Sequence, residues 1–438
     1  MAVSGWFVLL VAAGIVPIVV LGEPWVLVFW LLLVIALAGL DLIVAGSPRL
    51  VVLTRTIPER VRLGETAIAS LLLENRGPRR VRGIVRDAWE PSAVARPSRA
   101  AISLEAGQRR SIRLSLTPFR RGTRRSPHVT IRSFGPLHLA ARQATLGTPG
   151  ALTVLPPFNS RKHLPSRLAR LRELDGATSV MVRGPGTEFD SLRDYVRGDD
   201  VRSIDWRATA RRIDPTNAAG QRLVVRTWRP ERDRRVVILI DSGRTSAARI
   251  DNEPRLDTAY ESALLLAALA SSAGDRVDLV IFDRRVRARV FGATGADLLA
   301  KMVSAMAPVD PELIETDWSA VPGLVRSVTS QRALVVLATT ADTPGGSREL
   351  LSMLPQLAHK HMVVVASVTD PTVLDAAAHR TSRAEVYLAA AAERALLDRA
   401  RVAAAMGQLG VEQATGAPQD LPPALADRYI ALKAAGRL

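Results

Sequence analysis

Two unbroken apolar runs open the chain, residues 5–21 and 25–44, separated by Gly22, Glu23 and Pro24, with Asp41 near the end of the second. At 1.5 Å per helical residue, about 20 apolar residues cross a bilayer core. The second run therefore predicts a full span and the first a short one. Trp6 and Trp25 sit where interfacial aromatics are favoured. A secretory signal peptide needs a basic start, and the first basic residue is Arg49. Residues 1–46 are therefore expected to form a two-helix membrane hairpin. Arg49, Arg55, Arg60 and Arg62 come closely after it, so the positive-inside rule places the chain beyond the hairpin in the cytoplasm.

From 47 to 157 the period shortens to two. Apolar stretches at 67–73, 81–85, 111–116 and 128–131 alternate with turns such as Asn75-Arg76-Gly77-Pro78. Alternation with Gly, Pro and Asn punctuation predicts an antiparallel β-sandwich-like module. The basic stretch 120–125 reads as an exposed hairpin, with an anionic-lipid patch as the alternative. Residues 158–232 read as a linker with some helix, containing a dense polar segment at 188–212.

From 233 to 410 the pattern changes again. Residues 236–240 are a continuous apolar, β-branched run ending at Asp241. Such a run predicts a buried parallel strand with a polar residue at its carboxyl end. Strands are also expected at 277–282, 334–338 and 362–368, with 287–290 as an edge. Helices are expected at 256–272, 296–306, 318–328 and 347–359, and a longer one opens on a capping box, Ser382 with Glu385. This alternation predicts an α/β fold with a doubly wound parallel sheet. Its ligands would sit beyond the carboxyl ends of the strands, where Asp241, Thr245, Thr316 and the run Thr339 to Asp342 fall. Residues 411–438 read as a helical tail.

Composition narrows the function. The net charge is +17, from 59 Lys plus Arg against 42 Asp plus Glu. It suits a surface near an anionic leaflet. The sharper reading of the charge is nucleic-acid binding, and against it the chain has no zinc finger, RNP-type aromatic motif or compact lysine-rich tail. With no cysteine, disulfides and thiolate metal sites are excluded. The six histidines lack HExxH spacing, and no P-loop is present.

The segment 188–212 crowds aspartates with arginines. Asp199, Asp200 and Asp205 could form a metal or acid/base cluster, but Arg193, Arg202 and Arg207 interleave with them. Carboxylates so flanked are more often paired and ionised than poised as acids. The segment is read as an ion-paired scaffold, with partner docking second and a metal-dependent hydrolase third. Trp206 is expected to pack under the adjacent domain.

Two resemblances then enter. Asp241-Ser242-Gly243-Arg244-Thr245 after the first strand, residues 274–282 at the second, and a later Thr and Asp look like a von Willebrand factor A domain. The resemblance implies a D-x-S-x-S loop with a distant Thr and Asp binding Mg²⁺ or Mn²⁺, whose open position takes a partner's carboxylate. Asp241 matches the first Asp, Gly243 stands at the first Ser and Thr245 at the second. Thr316 matches the distant Thr and Asp342 the distant Asp. Hard oxygen ligands suit such an ion, and water could replace the hydroxyl missing at 243.

Glu188, Leu192-Arg193-Asp194-Tyr195, Gly198-Asp199-Asp200, Arg202, Asp205-Trp206-Arg207 and the C-terminal Tyr429, Lys433 and Gly436-Arg437 resemble the DUF58 family. That resemblance implies a bacterial, membrane-anchored, cytoplasm-facing, non-enzymatic adaptor. It would work with a MoxR-type AAA+ ATPase and other A-domain proteins in assembling protein complexes. An envelope structural protein is the remaining alternative.

Overall fold

A computed structural model describes residues 2–178, 188–196, 200–211, 223–229, 234–251 and 253–438. The chain divides into two compact units, Met1–Pro157 with Met306–Asp310, and Phe158–Ala305 with Pro311–Leu438.

In the first unit the second apolar run forms the helix Pro24–Val44. Among the described residues it gives the one helix long and apolar enough to cross a membrane. The run 5–21 is divided at Gly14 into Gly5–Ala13 and Ile15–Leu21. Trp30 packs so closely there that a Cβ on Gly14 would come within 2.3 Å of its ring. The Trp30 Nε1 donates to the Leu10 carbonyl.

Asp41, charged in an otherwise apolar helix, is buried. Its carboxylate accepts the backbone N–H groups of Leu137, Leu139 and Ala140 at 2.8, 2.8 and 3.1 Å. A buried charge needs such partners, so this contact pins the helix end to the β module.

The β module has two antiparallel-dominated sheets. One runs Ala2–Val3, Ala140–Leu155, Gly122–Phe134, Val81–Asp87, Ala100–Leu104, and the other Val51–Thr56, Ala67–Asn75, Arg109–Leu116, Ala95–Arg96. Alternation decides which side is buried. Ala67, Ala69, Leu71 and Leu73 point inward and share one core with Val85, Leu104, Ile131 and Leu152 of the facing sheet. The stretch 120–125 is not simply an exposed hairpin. Arg121 is 2% exposed and donates to the carbonyls of Met306 and Val309, because that segment of chain joins this unit.

The second unit is built on a six-stranded sheet: β1 (Arg235–Asp241), β2 (Arg276–Phe282), β3 (Val286–Val290), β4 (Leu334–Ala338), β5 (Met362–Val368) and β6 (Glu412–Gly416). The spatial order is β3-β2-β1-β4-β5-β6. All pairs are parallel except β2 with β3. β1 is buried from Val236 onward, as its apolar run requires.

The strand order reverses between β1 and β4, and in open α/β sheets the crevice at such a reversal is where ligands bind. The capping box at Ser382 and Glu385 starts the helix Arg383–Gln408.

The C-terminal residues are more than a helical tail. β6 extends the sheet beside β5. The helix Leu421–Ala434 buries Leu421, Leu425, Ala426, Tyr429 and Ile430. Tyr429 donates to the buried Asp275, and Lys433 Nζ lies 3.2 Å from the same carboxylate.

Candidate functional site

At the reversal, β1 delivers Asp241 to its carboxyl end, where the residue is buried. Four donors converge on its carboxylate. Oδ1 accepts from Thr316 Oγ1 (2.5 Å) and the Gly243 N–H (2.8 Å), and Oδ2 from Thr339 Oγ1 (2.8 Å) and Thr245 Oγ1 (3.4 Å). Thr339 directly follows β4, so both strands at the reversal meet in this carboxylate. Ser246 Oγ ties the turn back to the Asp241 carbonyl. Burial pushes the Asp241 carboxyl above the ordinary carboxylate range, while the four hydrogen bonds oppose that shift.

Gly243 is fixed by this geometry. A Cβ there would come within 2.3 Å of Thr316 Oγ1, 2.9 Å of the Ile314 carbonyl and 3.0 Å of Asp241 Oδ1. The Thr316 hydroxyl thus fills the space that a serine at 243 would need. The loop carrying Thr316 is held over the end of β1 by Arg244 N–H to Ile314 O and Glu312 N–H to Ser242 O. Leu313, 79% exposed, stands out from it.

Asp241, Thr245 and Thr316 are therefore brought together, as read from the sequence. Thr339, read there only as an edge residue, is a direct partner of the same carboxylate. Asp342 is placed differently: its oxygens meet Arg255 Nη1 at 2.7 Å and Arg399 Nη2 at 2.8 Å. Neither arginine was singled out by sequence. Each lies far from Asp342 along the chain, which hides the pairing.

The donor set suits Mg²⁺ or Mn²⁺ in kind, being one carboxylate and hydroxyls. Among the described residues Asp241 is the one carboxylate in this hydrogen-bonded cluster, Asp342 is paired with Arg255 and Arg399, and no group of three acidic, histidine or cysteine side chains is placed for a metal.

The polar segment forms a small separate ribbon, Glu188–Asp194 paired antiparallel with Val224–Arg229. Glu188 faces Arg229 in the register. Arg193 donates to the Asp194 carbonyl, and the Tyr195 N–H donates to Leu223 O. Gly198 and Asp199 lie outside the described residues.

Asp200 accepts the Arg202 N–H, and Asp205 accepts the N–H groups of Arg207 and Ala208 while pairing with Arg226 at 2.7 Å. The Ala208 N–H above all, with Arg226, holds the Asp205 carboxyl below its usual range. Trp206 does not pack under a neighbour; it is 65% exposed. It opens the short helix Trp206–Arg211, whose buried side is Thr209.

Residues 191–395, covering most of the α/β sheet and its polar ribbon, match the family described as "Protein of unknown function DUF58". The match covers a little under half of the chain. Over 200 residues, 45% of this chain, it is 26% identical to uncharacterized proteins of Mycobacterium tuberculosis and Mycobacterium bovis. The chain spans 60% of the length of these relatives.

Solved structures give slight likenesses. A Listeria innocua β-glucosidase has 14% identity and a TM-score of 0.17, over 24% of this chain and 16% of its own. The CARDB domain of a Pyrococcus furiosus protein has 13% identity and a TM-score of 0.20, over 25% and 94%. At these scores neither carries an argument.

Proposed function

We propose that this chain is a membrane-anchored, cytoplasm-facing interaction protein whose α/β unit binds a protein partner at the carboxyl edge of its sheet. One observation carries the reading: a buried carboxylate, Asp241, ringed by hydroxyls from three separate segments at the strand reversal. The sheet order, with its single antiparallel edge strand, supports a von Willebrand factor A-like fold. The resemblance read in the sequence suggests the partner, a MoxR-type AAA+ ATPase engaged in complex assembly. The anchor in this reading is the helix Pro24–Val44, with the run 5–21 as a second, short span and the arginines after residue 48 on the inner side.

Of the alternative hydrolase's carboxylates, the described ones are engaged locally: Asp200 Oδ1 accepts the Arg202 N–H, and Asp205 accepts the Arg207 and Ala208 N–H groups and pairs with Arg226.

Co-purification of the full chain from its native membrane, with and without Asp241→Ala, tests the proposal. An AAA+ ATPase recovered with the wild type and lost with the variant supports it. No ATPase in either preparation refutes it.

A further inference from the structure

The carboxyl edge holds a second charged group beside the Asp241 cluster, and its charges do not balance. Arg255, at the start of the helix Arg255–Ser272, and Arg399, within Arg383–Gln408, each take one oxygen of Asp342, at 2.7 and 2.8 Å. Two guanidinium groups share one carboxylate. Arg255 also donates to Thr340 Oγ1 at 3.0 Å, which adds no charge.

Its Nε is buried and closed to solvent, so only its terminal nitrogens can meet a ligand. The side chains of Arg255, Arg399 and Asp342 remain 15%, 22% and 25% exposed, and a ligand from solvent can reach them. The acid next to Arg399 does not correct the balance, because Asp398 pairs with Arg394 and Arg401.

We propose that Arg255 and Arg399 form the receptor for a carboxylate on the partner, an acidic side chain of a peptide or protein, and that Asp342 is an internal stand-in for it. Guanidinium groups bind carboxylates through paired, charge-assisted hydrogen bonds. An incoming carboxylate joins or displaces Asp342 and brings the group nearer to neutrality. The recognition needs no metal ion. The inference rests on the partner-binding reading above and names the chemistry that the partner presents.

The test uses the full chain in nanodiscs of zwitterionic lipid and a fluorescein-labelled hexaglutamate peptide, monitored by anisotropy in EDTA. The expected result is saturable binding in EDTA, weakened about tenfold by Arg399→Gln and tightened several-fold by Asp342→Asn. Arg394→Gln, an exposed arginine on the same helix, leaves it unchanged. Circular dichroism and thermal melts of each variant separate loss of binding from loss of fold, and the two opposite signs at 399 and 342 cannot both arise from misfolding.

Three results would overturn the proposal: no binding in EDTA, weakening by Asp342→Asn, or an equal loss with Arg394→Gln, which marks diffuse attraction to a basic surface. If the peptide fails to bind while native co-purification still depends on Asp241, this proposal falls and the adaptor reading stands.

Discussion

Thr316 and Gly243 compete for one place: the hydroxyl of Thr316 lies 2.5 Å from Asp241 Oδ1 and would lie 2.3 Å from a Cβ on Gly243. Gly243→Ala should therefore push Thr316 off Asp241 or shift the turn. Overpacking of this kind costs about 1–3 kcal/mol, read as a lower urea midpoint. Adding Thr316→Ala removes the nearest of the crowded oxygens and leaves the Ile314 carbonyl at 2.9 Å, so the double variant should be more stable than the sum of the two single effects. Strict additivity would mean that the two side chains do not share this space.

Burial raises the Asp241 carboxyl above its ordinary value. The folded chain then holds that proton more tightly than the unfolded chain. The group's contribution to stability is full below the unfolded value, about 4, and is lost as pH rises through the folded one. Asp241→Asn, which cannot titrate, should gain in stability relative to the wild type as pH rises across that window. Urea unfolding of both proteins at several pH values checks this, and a difference that does not change with pH contradicts it.

Asp205 behaves with the opposite sign. Its carboxyl is lowered by the Ala208 N–H and by Arg226, so its contribution is present above the unfolded value of about 4 and lost as pH falls through the folded one. The stability gap between the wild type and Asp205→Asn should narrow in acid, measured by thermal melts from neutral to acid pH. A gap that widens in acid would count against the capping and pairing described for it.

Asp41 satisfies three backbone donors near the end of the apolar helix. Asp41→Leu removes the acceptor and leaves the N–H groups of Leu137, Leu139 and Ala140 without it. An unmet buried donor costs roughly 1–3 kcal/mol. Limited proteolysis of the nanodisc-embedded chain should then cut faster between residues 135 and 140, with Asp41→Asn intermediate. Equal cutting rates in all three would show that the contact does not hold this segment.

The strands at the centre of the sheet were legible because their burial writes itself into sequence. Residues 236–240, 334–338 and, but for Ser367, 362–368 are apolar on both faces, and all three runs are buried. β6 was hidden because Glu412-Gln413-Ala414-Thr415-Gly416 is an edge strand with only Ala414 buried, so it carries no apolar run. The Pro371–Ala378 helix, with no buried residue, went unread for the same reason.

At the site, Asp241 announced itself by ending an apolar run. Thr339 was placed at the same edge because it follows an apolar run, but its bond to Asp241 depends on β4 lying beside β1, which the sequence does not spell out. Trp206 misled because a tryptophan is usually taken as core, whereas here it stands exposed at the start of a short helix. Asp41 read as the end of a span, and the three N–H groups it accepts come from a loop far along the chain, at residues 137–140.

The central claim, that a partner docks at the carboxyl edge, is tested most directly by site-specific photocrosslinking in the native membrane. A crosslinking amino acid at 313, in place of the exposed Leu313 beside the Asp241 cluster, should capture an AAA+ ATPase, identified by mass spectrometry. The same probe at 301, on the Gly295–Met306 helix beside the edge strand β3, should not. Capture at 301 with none at 313 would contradict the account.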